Sequence, residues 1–265
     1  MPQNKILLSF DIEEFDLPEE FHAEIPEKEK DQISADGTRE ILNLLKETDV
    51  RATFFITGYF AERHPDMIKE MRDAGHEIAS HGMNHSFFEV SHLLQSKKLL
   101  EKLSGKEVTG FRMARLAKVD KQEIFNAGYH YESSLNPVWL PGRYHNFRKP
   151  LMPFRETCGL LQFPVSAVPF IRFPLFWLSF KNLPLFFYKM LCSITLNRTK
   201  YYNMYSHPWE YNEAAKDPRW KIPGYIVKHA GKSQVERLRS LIIFLKKKGD
   251  FITFEEYKGS VPNKD

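Results

Sequence analysis

The sequence is poor in cysteine. Only Cys158 and Cys192 occur among 265 residues, and they form no C-x-x-C pair. A disulfide framework or a cysteine zinc site would need more thiols at regular spacing. We therefore expect both cysteines to be buried or free thiols.

Two further absences narrow the class of protein. The N-terminus, "MPQNKILLSFDIEEF", has no long apolar core before its first acidic residues, so it does not resemble a signal peptide and a cytoplasmic location is predicted. The net charge is only +4 at pH 7, and the basic residues are dispersed. Proteins that bind nucleic acids carry concentrated basic stripes, so no nucleic-acid partner is expected.

Short apolar segments alternate along the chain with amphipathic segments of helical length. Strands are predicted at 5–12, 51–57, 76–80, 108–114, 129–134, 160–166, 200–206 and 250–254, and helices at 36–49, 64–75, 90–105, 120–128 and 232–248. Asp36 is expected to cap the first helix. This alternation indicates a parallel sheet.

The first predicted strand is not followed by a G-x-G-x-x-G motif. Its absence disfavours a doubly wound dinucleotide-binding sheet, and the repeated strand–helix series favours a closed barrel. Because no internal repeat or linker is visible, we expect one α/β domain over residues 1–265.

Titratable side chains recur at the carboxyl ends of the predicted strands. They are Asp11, Glu13 and Glu14 after the first strand, His81 and His85 after the third, Arg112 and Arg115 at the fourth, Glu132 after the fifth, and His207 after the strand at 200–206. In a β/α barrel these strand ends open on one face, where active sites lie. Each residue alone could be an ordinary solvated side chain, but the set indicates a site.

The residue types in this set suit metal-assisted hydrolysis. Two histidines and one carboxylate form a three-ligand site that leaves room for water and substrate. Such a metal makes its bound water more acidic and polarises a carbonyl group. A second carboxylate and a further histidine can then serve as general base and general acid.

Five motifs in chain order resemble those of the polysaccharide deacetylase family, which is carbohydrate esterase family four, or the chitooligosaccharide deacetylase homology family. They read "SFDIEEF" at 9–15, "HGMNH" at 81–85, "GFRMAR" at 110–115, "YESSLNP" at 131–137 and "MYSHPWE" at 204–210. The first motif is similar to the branch with F-D-[IV]-E-[DE] in place of T-F-D-D-G. The resemblance covers most of the chain and implies a distorted (β/α)7-type barrel.

The resemblance also implies one divalent metal ion. His81 and His85 would be ligands, and the third ligand would be an acid of the first motif. Glu13 is expected, because strand alternation puts it on the side of Asp11, and Glu14 is the competitor if the strand has already ended. Zinc is the expected metal, with Co²⁺, Mn²⁺ and Ni²⁺ as alternatives.

The remaining motif residues acquire roles by the same resemblance. Asp11 would be the general base, and Arg112 would keep it anionic. Glu132 would orient and charge His207, the general acid. Residues expected to bind substrate are Arg115, with a backbone amide near it as an oxyanion donor, and Trp209.

The implied activity is removal of N-acetyl groups from a glycan or amino sugar. Some motif positions depart from the family pattern: Gly82 replaces Ser or Thr, Ala114 stands where proline is usual, and Glu132 replaces Asp. Because of these departures, the motifs do not identify the substrate. The alternatives are a cyclic amide or imide hydrolase on the same scaffold and a non-catalytic carbohydrate-binding homologue.

The segment 166–202 is aromatic and basic, and no acidic residue lies between Glu156 and Glu210. Proline and charged residues interrupt its apolar runs, which are too short to span a membrane. It is predicted either to be a buried crossover on the barrel or to lie at a membrane surface, since aromatic and basic residues without acids suit a bilayer interface. Under the second interpretation, the protein would be cytoplasmic and would contact the membrane peripherally through 166–202. The oligomeric state remains open.

Overall fold

The structure is a computed structural model that describes residues 3–140 and 144–260. The strands are β1 (Lys5–Ile12), β2 (Thr53–Ile56), β3 (Glu77–Ser80), β4 (Gly110–Phe111), β5 (Tyr131–Leu135), β6 (Trp139–Leu140), β7 (Tyr144–His145), β8 (Phe154–Arg155), β9 (Leu161–Pro164), β10 (Tyr201–Ser206) and β11 (Asp250–Phe251). The helices are α1 (Leu17–Glu20), α2 (Glu27–Thr48), α3 (Gly58–Arg63), α4 (Pro65–Asp73), α5 (Ser91–Ser104), α6 (Lys121–Asn126), α7 (Trp177–Asn182), α8 (Leu185–Thr199), α9 (Gly224–Val227), α10 (Lys232–Lys246) and α11 (Phe254–Ser260). Short 3₁₀ helices lie at Ala114–Leu116, Pro208–Tyr211, Glu213–Lys216 and Pro218–Trp220.

The strands build a curled, mostly parallel sheet in the order β10-β1-β2-β3-β4-β5-β9-β8. Neighbours pair in parallel from β10 to β9, and only β8 joins its edge antiparallel. Beyond β9 the chain reaches β10, where the Ser166 amide donates to the Asn203 carbonyl at 3.0 Å. The Tyr201 hydroxyl also donates to the Pro164 carbonyl at 2.7 Å. These bonds close the curl, and the predicted (β/α)7-type barrel is confirmed.

Side-chain alternation along β1 separates the two faces of the sheet. Ile6, Leu8 and Phe10 pack outward against the helices, whereas Leu7 packs in the barrel interior. Because every second side chain of a strand points to the same face, the side chain of Asp11 points into the barrel as Leu7 does. Because parallel strands align their carboxyl ends, Asp11 lies in the upper part of the barrel, at the face that is expected to hold a site.

Some predicted boundaries were wrong. Helix α2 begins at Glu27, not at Asp36, which lies exposed within the helix and accepts a hydrogen bond from the Gln32 amide at 2.7 Å. Strand β4 has only two residues, and β11 ends at Phe251. Helices α7 and α8 fill the segment that the sequence left without assigned elements.

Gly37 lies inside helix α2, next to Asp36, where the sequence had placed the start of the helix. A Cβ atom at this position would lie 2.0 Å from the backbone oxygen of Pro208. Glycine costs helix stability, but here it lets the helix approach the backbone that follows His207. The packing of α2 thus supports the end of β10.

We expect Gly37→Ala to destabilise the protein by about 1–3 kcal/mol, the usual cost of overpacking. Alanine would add helix propensity worth about 0.5–1 kcal/mol, but the clashing atom is backbone and cannot rotate away. Chemical denaturation measures the difference. Glu40→Ala, at an exposed position of the same helix, is the control and should change stability by less than about 0.5 kcal/mol. A Gly37→Ala protein as stable as its parent would contradict this packing.

Candidate metal centre and active site

A pocket opens at the carboxyl ends of β1 and β10. Its lining residues are Asp11, Glu13, Asp16, Leu17, Glu20, His85, Arg115, Leu116, Trp177, Leu178, Tyr205, His207, Trp209, Tyr225 and Ile226. The floor is polar and titratable, and aromatic side chains form much of one wall. Residues predicted from four of the five motifs therefore meet at one place, and only Glu132 of the fourth motif is turned away.

A buried ion pair joins Asp11 to Arg112 below the pocket. The Arg112 Nη1 atom donates to the Asp11 carboxylate at 2.5 Å, and both side chains are almost inaccessible to water. Burial alone would raise the pKa of Asp11, but the Arg112 charge, followed by His81 and His207, lowers that pKa below its ordinary value. Asp11 is therefore an anion at neutral pH and can accept a proton.

Glu13, His81 and His85 form a cluster that could hold a metal ion. The Nε2 atoms of the two histidines lie 3.2 and 3.0 Å from the same carboxylate oxygen of Glu13. One carboxylate and two imidazoles suit zinc and related divalent ions, and they leave positions open for water and substrate. The donor set thus fits the metal that the motifs imply.

The outer nitrogens of both histidines have partners that direct the inner nitrogens to this cluster. His81 Nδ1 lies 2.9 Å from the Arg112 carbonyl oxygen, which can only accept, so Nδ1 carries the hydrogen. His85 Nδ1 lies 2.8 Å from the Asp16 carboxylate. Each Nε2 therefore offers a lone pair to the shared centre when the ring is neutral, which is the arrangement found around protein-bound metals.

The two acids that flank Glu13 face different partners. Glu14 accepts a hydrogen bond from the Thr57 hydroxyl at 2.9 Å, and burial raises its pKa to about 7. Its carboxylate is thus engaged away from the histidines, and the geometry favours Glu13 over Glu14 as the acidic ligand. Asp16 binds His85 and also accepts from the Ser86 hydroxyl.

His207 lies opposite the cluster and is paired with Glu210. Its Nδ1 atom is 3.0 Å from the Glu210 carboxylate, and its Nε2 atom is 4.0 Å from Glu13. Burial would lower the pKa of His207, but Glu13, Glu210 and Asp11 raise it above its ordinary value. The ring stacks on Trp209, with centroids 5.4 Å apart. His207 is thus held as a hydrogen-bond donor towards the pocket.

Glu210 is itself held by a buried lysine. Lys181 Nζ lies 3.1 Å from the carboxylate, and both side chains are fully buried. Burial would raise the pKa of Glu210, but Lys181 and then His207 lower it below its ordinary value. Lys181 also donates to the Ile226 carbonyl at 2.7 Å. A chain of charges thus runs from Lys181 through Glu210 to His207.

The predicted pairing of Glu132 with His207 is wrong. Tyr131 packs inside the barrel. Because neighbouring side chains of a strand point to opposite faces, Glu132 points outward, and its carboxylate forms an ion pair with Lys121 of α6. Glu132 also lies within β5 and not after its end. Burial raises its pKa.

Arg115 and Trp209 both line the pocket, as expected of substrate-binding residues. Arg115 is partly exposed and pairs with Glu20 at 2.8 Å. Arg115 and Leu116 have φ angles of 55° and 51°, a left-handed conformation that costs non-glycine residues roughly 1–3 kcal/mol each. This strained turn sits at the pocket rim, where such conformations tend to occur.

Sequence reasoning missed Asp16, Lys181 and Glu210. Two of them had a usable signal: Asp16 follows Glu13 by three residues in an acid-rich motif, and Glu210 follows His207 by three. The sequence signal for Lys181 was weak, because it is a single cation among the apolar residues of "FWLSFKNL". A lone buried lysine can be recognised only when the fold shows its partner.

Comparison with known proteins agrees with the motifs. Residues 2–129 match the family model described as polysaccharide deacetylase. A peptidoglycan-N-acetylglucosamine deacetylase of Bacillus cereus is 36% identical over 72 residues, which are 24% of this chain and 34% of that protein. The matched segments span roughly a third of the length of the curated relatives.

Solved structures share the fold over nearly the whole chain. A probable polysaccharide deacetylase from Pseudomonas aeruginosa has a TM-score of 0.65 and 15% identity, covering 95% of this chain and 88% of that one. The Puue allantoinase has a TM-score of 0.63 and 17% identity, covering 98% and 92%. Residues 2–129 thus carry the match to the polysaccharide deacetylase family, and the solved structures show that the fold of that family extends over nearly the whole chain.

Proposed function

We propose that the protein is a metal-dependent hydrolase that removes N-acetyl groups from a glycan or amino sugar. The observation that carries this proposal is that an anionic Asp11, the cluster of Glu13, His81 and His85, and the ring of His207 meet at one pocket. Base, metal ligands and acid are the groups that amide hydrolysis needs. The match of residues 2–129 to the polysaccharide deacetylase family supports the same reaction.

The three ligands would hold one divalent ion, most simply zinc, which when bound polarises the acetyl carbonyl and makes water more acidic. The residues of this chain perform the proton transfers. Asp11, kept ionised by Arg112, accepts a proton from the attacking water. The backbone amide near Arg115, in the left-handed turn at the rim, would donate to the developing oxyanion.

His207 completes the reaction as the general acid. Glu210 accepts from Nδ1, so the Nε2 hydrogen of the protonated ring faces the pocket. As the carbon–nitrogen bond breaks, this proton passes to the leaving nitrogen, and acetate and a free amine result. Trp209 stacks on the ring and fixes its plane, which keeps the donor aligned.

A cyclic amide hydrolase is the second candidate. The structural likeness to the Puue allantoinase favours it, and the same base and acid could open a cyclic amide. The two are separated by a screen that measures acetate release from N-acetylated sugars and oligosaccharides beside ring opening of cyclic amides. Acetate release alone supports the first proposal, and ring opening alone supports the second. Neither product, despite sugar binding, would indicate a carbohydrate-binding homologue.

Adjacent acids offer a matched test of the metal site. Glu13→Gln should abolish stoichiometric zinc binding, because an amide oxygen is a much weaker zinc ligand than a carboxylate. Glu14→Gln should retain the metal, since Glu14 faces Thr57. Metal content after dialysis against trace zinc measures both. Loss of zinc in Glu14→Gln with retention in Glu13→Gln would reverse the assignment.

Asp11→Asn should remove activity by at least about 10²-fold, the lower range for an acid–base group, while the metal remains. Breaking a buried ion pair costs about 3–5 kcal/mol, so activity is compared at a temperature where circular dichroism shows the variant folded. Loss of the metal together with activity would make Asp11 a ligand and not the base.

The pH profile distinguishes Glu210 from Glu132. Glu210 stabilises the cationic form of His207 and raises its pKa, and His207 must be protonated to act as an acid. Glu210→Gln should therefore lower that pKa and move the alkaline limb of kcat to lower pH. Glu132→Gln, whose carboxylate faces Lys121, is the control and should leave the limb in place. An alkaline limb that moves only in Glu132→Gln would refute the pairing.

A further inference from the structure

One side of the barrel combines exposed apolar side chains with an excess of basic residues. Between residues 133 and 209 the only acidic residue is Glu156. Apart from Lys181, which is buried and paired with Glu210, the basic residues in the described part of this stretch are Arg148, Lys149, Arg155, Arg172, Lys189, Arg198 and Lys200. Elsewhere in the chain acidic and basic residues are mixed. This stretch thus carries a local positive charge that the net charge of the whole protein hides.

Helix α8 is apolar on its outer side as well as its inner one. Its inner side packs Tyr188, Leu191, Cys192 and Leu196 into the core. Its outer side presents large apolar side chains to solvent: Phe186 is 76% exposed, Phe187 37%, Met190 46% and Ile194 42%. A surface helix of a soluble protein normally has a polar outer side, so the outer side of α8 lacks a partner.

Loop tips extend this surface beyond α8. Phe170 and Ile171 are 80% and 68% exposed, and the Arg198 guanidinium of α8 lies 5.9 Å from the Phe170 ring centre. Ile171 shares a shallow depression with Trp139, Phe147 and Arg172. We call the outer side of α8 together with the tips at Trp139, Phe147 and Phe170–Ile171 the apolar basic face.

We propose that the apolar basic face binds the surface of an anionic lipid bilayer. Exposed aromatic and aliphatic side chains can enter the boundary between headgroups and acyl chains. Each Lys or Arg near an anionic surface adds attraction, and the scarcity of acids removes the opposing repulsion. Among the described residues no helix is both long and apolar enough to cross a membrane, so the contact would be peripheral.

The face begins beside the pocket. Helix α7 carries the pocket residues Trp177 and Leu178, and only two residues separate its end from the start of α8. Phe186 and Phe187 lie in the first turn of α8 and are thus close in sequence to the pocket wall. The start of α8 is thus the part of the face nearest the pocket, whereas Arg198 and Phe170 lie at its other end.

Vesicle sedimentation tests the proposal without reference to catalysis. The full chain should sediment with phosphatidylcholine vesicles containing phosphatidylglycerol at low salt, and much less with pure phosphatidylcholine. Raising the salt concentration should release it, because salt screens the attraction. Phe170→Ser with Ile171→Ser should weaken binding by at least tenfold. Arg198→Glu should weaken binding by about fivefold or more, as expected for one charge near the surface.

Helix α5, which packs near β3 and not near the apolar basic face, supplies matched controls. Leu94→Ser and Lys98→Glu change exposed residues of the same types and should leave binding unchanged. Circular dichroism confirms that each variant is folded. The proposal is overturned if the parent fails to sediment at any salt, if the α5 variants weaken binding as much as the face variants, or if the parent forms a dimer that Phe170→Ser with Ile171→Ser dissociates.

Discussion

The site depends on one buried arginine. Arg112 is fully enclosed in the barrel and binds Asp11 and Ser9 of β1 as well as the carbonyl and hydroxyl of Ser133 in β5. A buried charge is stable only when it is paired and hydrogen-bonded, so its partners must stay in place. Because those partners lie on separate strands, the same bonds that satisfy the guanidinium fix the strand ends around it.

The backbone of Arg112 extends this control to the proposed metal ligands. Its carbonyl accepts from His81 Nδ1, and its amide donates to the Ser80 carbonyl. One residue therefore sets the charge of Asp11, the proposed base, and the tautomer of His81, a proposed metal ligand. The guanidinium also lies 4.0 Å from the ring centre of Phe55, which keeps water away from the pair. In this environment Asp11 can remain anionic although it is buried.

The alternation of strands and helices was enough to predict a barrel, and the side-chain alternation of the first strand was enough to place Asp11 and Glu13 on the same side. The late start predicted for α2 shows where that reading fails. Asp36 has the residue type of an N-cap but lies within the helix, and the neighbouring Gly37 packs against the backbone of Pro208. Likewise, Glu132 stands where the family motif carries Asp, but its place within β5 turns it towards Lys121. The partner of His207 depended on tertiary packing around Lys181, which no local pattern specifies.

The central claim is that Glu13, His81 and His85 hold one metal ion beside Asp11. Anomalous diffraction from a crystal soaked in zinc tests it most directly. The account predicts a single strong peak within about 2.0–2.2 Å of one Glu13 oxygen and both histidine Nε2 atoms, with the nearest Asp11 oxygen outside that range. A pocket without an anomalous peak in a crystal that binds zinc elsewhere, or a peak bound by Asp11 and Glu14 in place of Glu13, would contradict it.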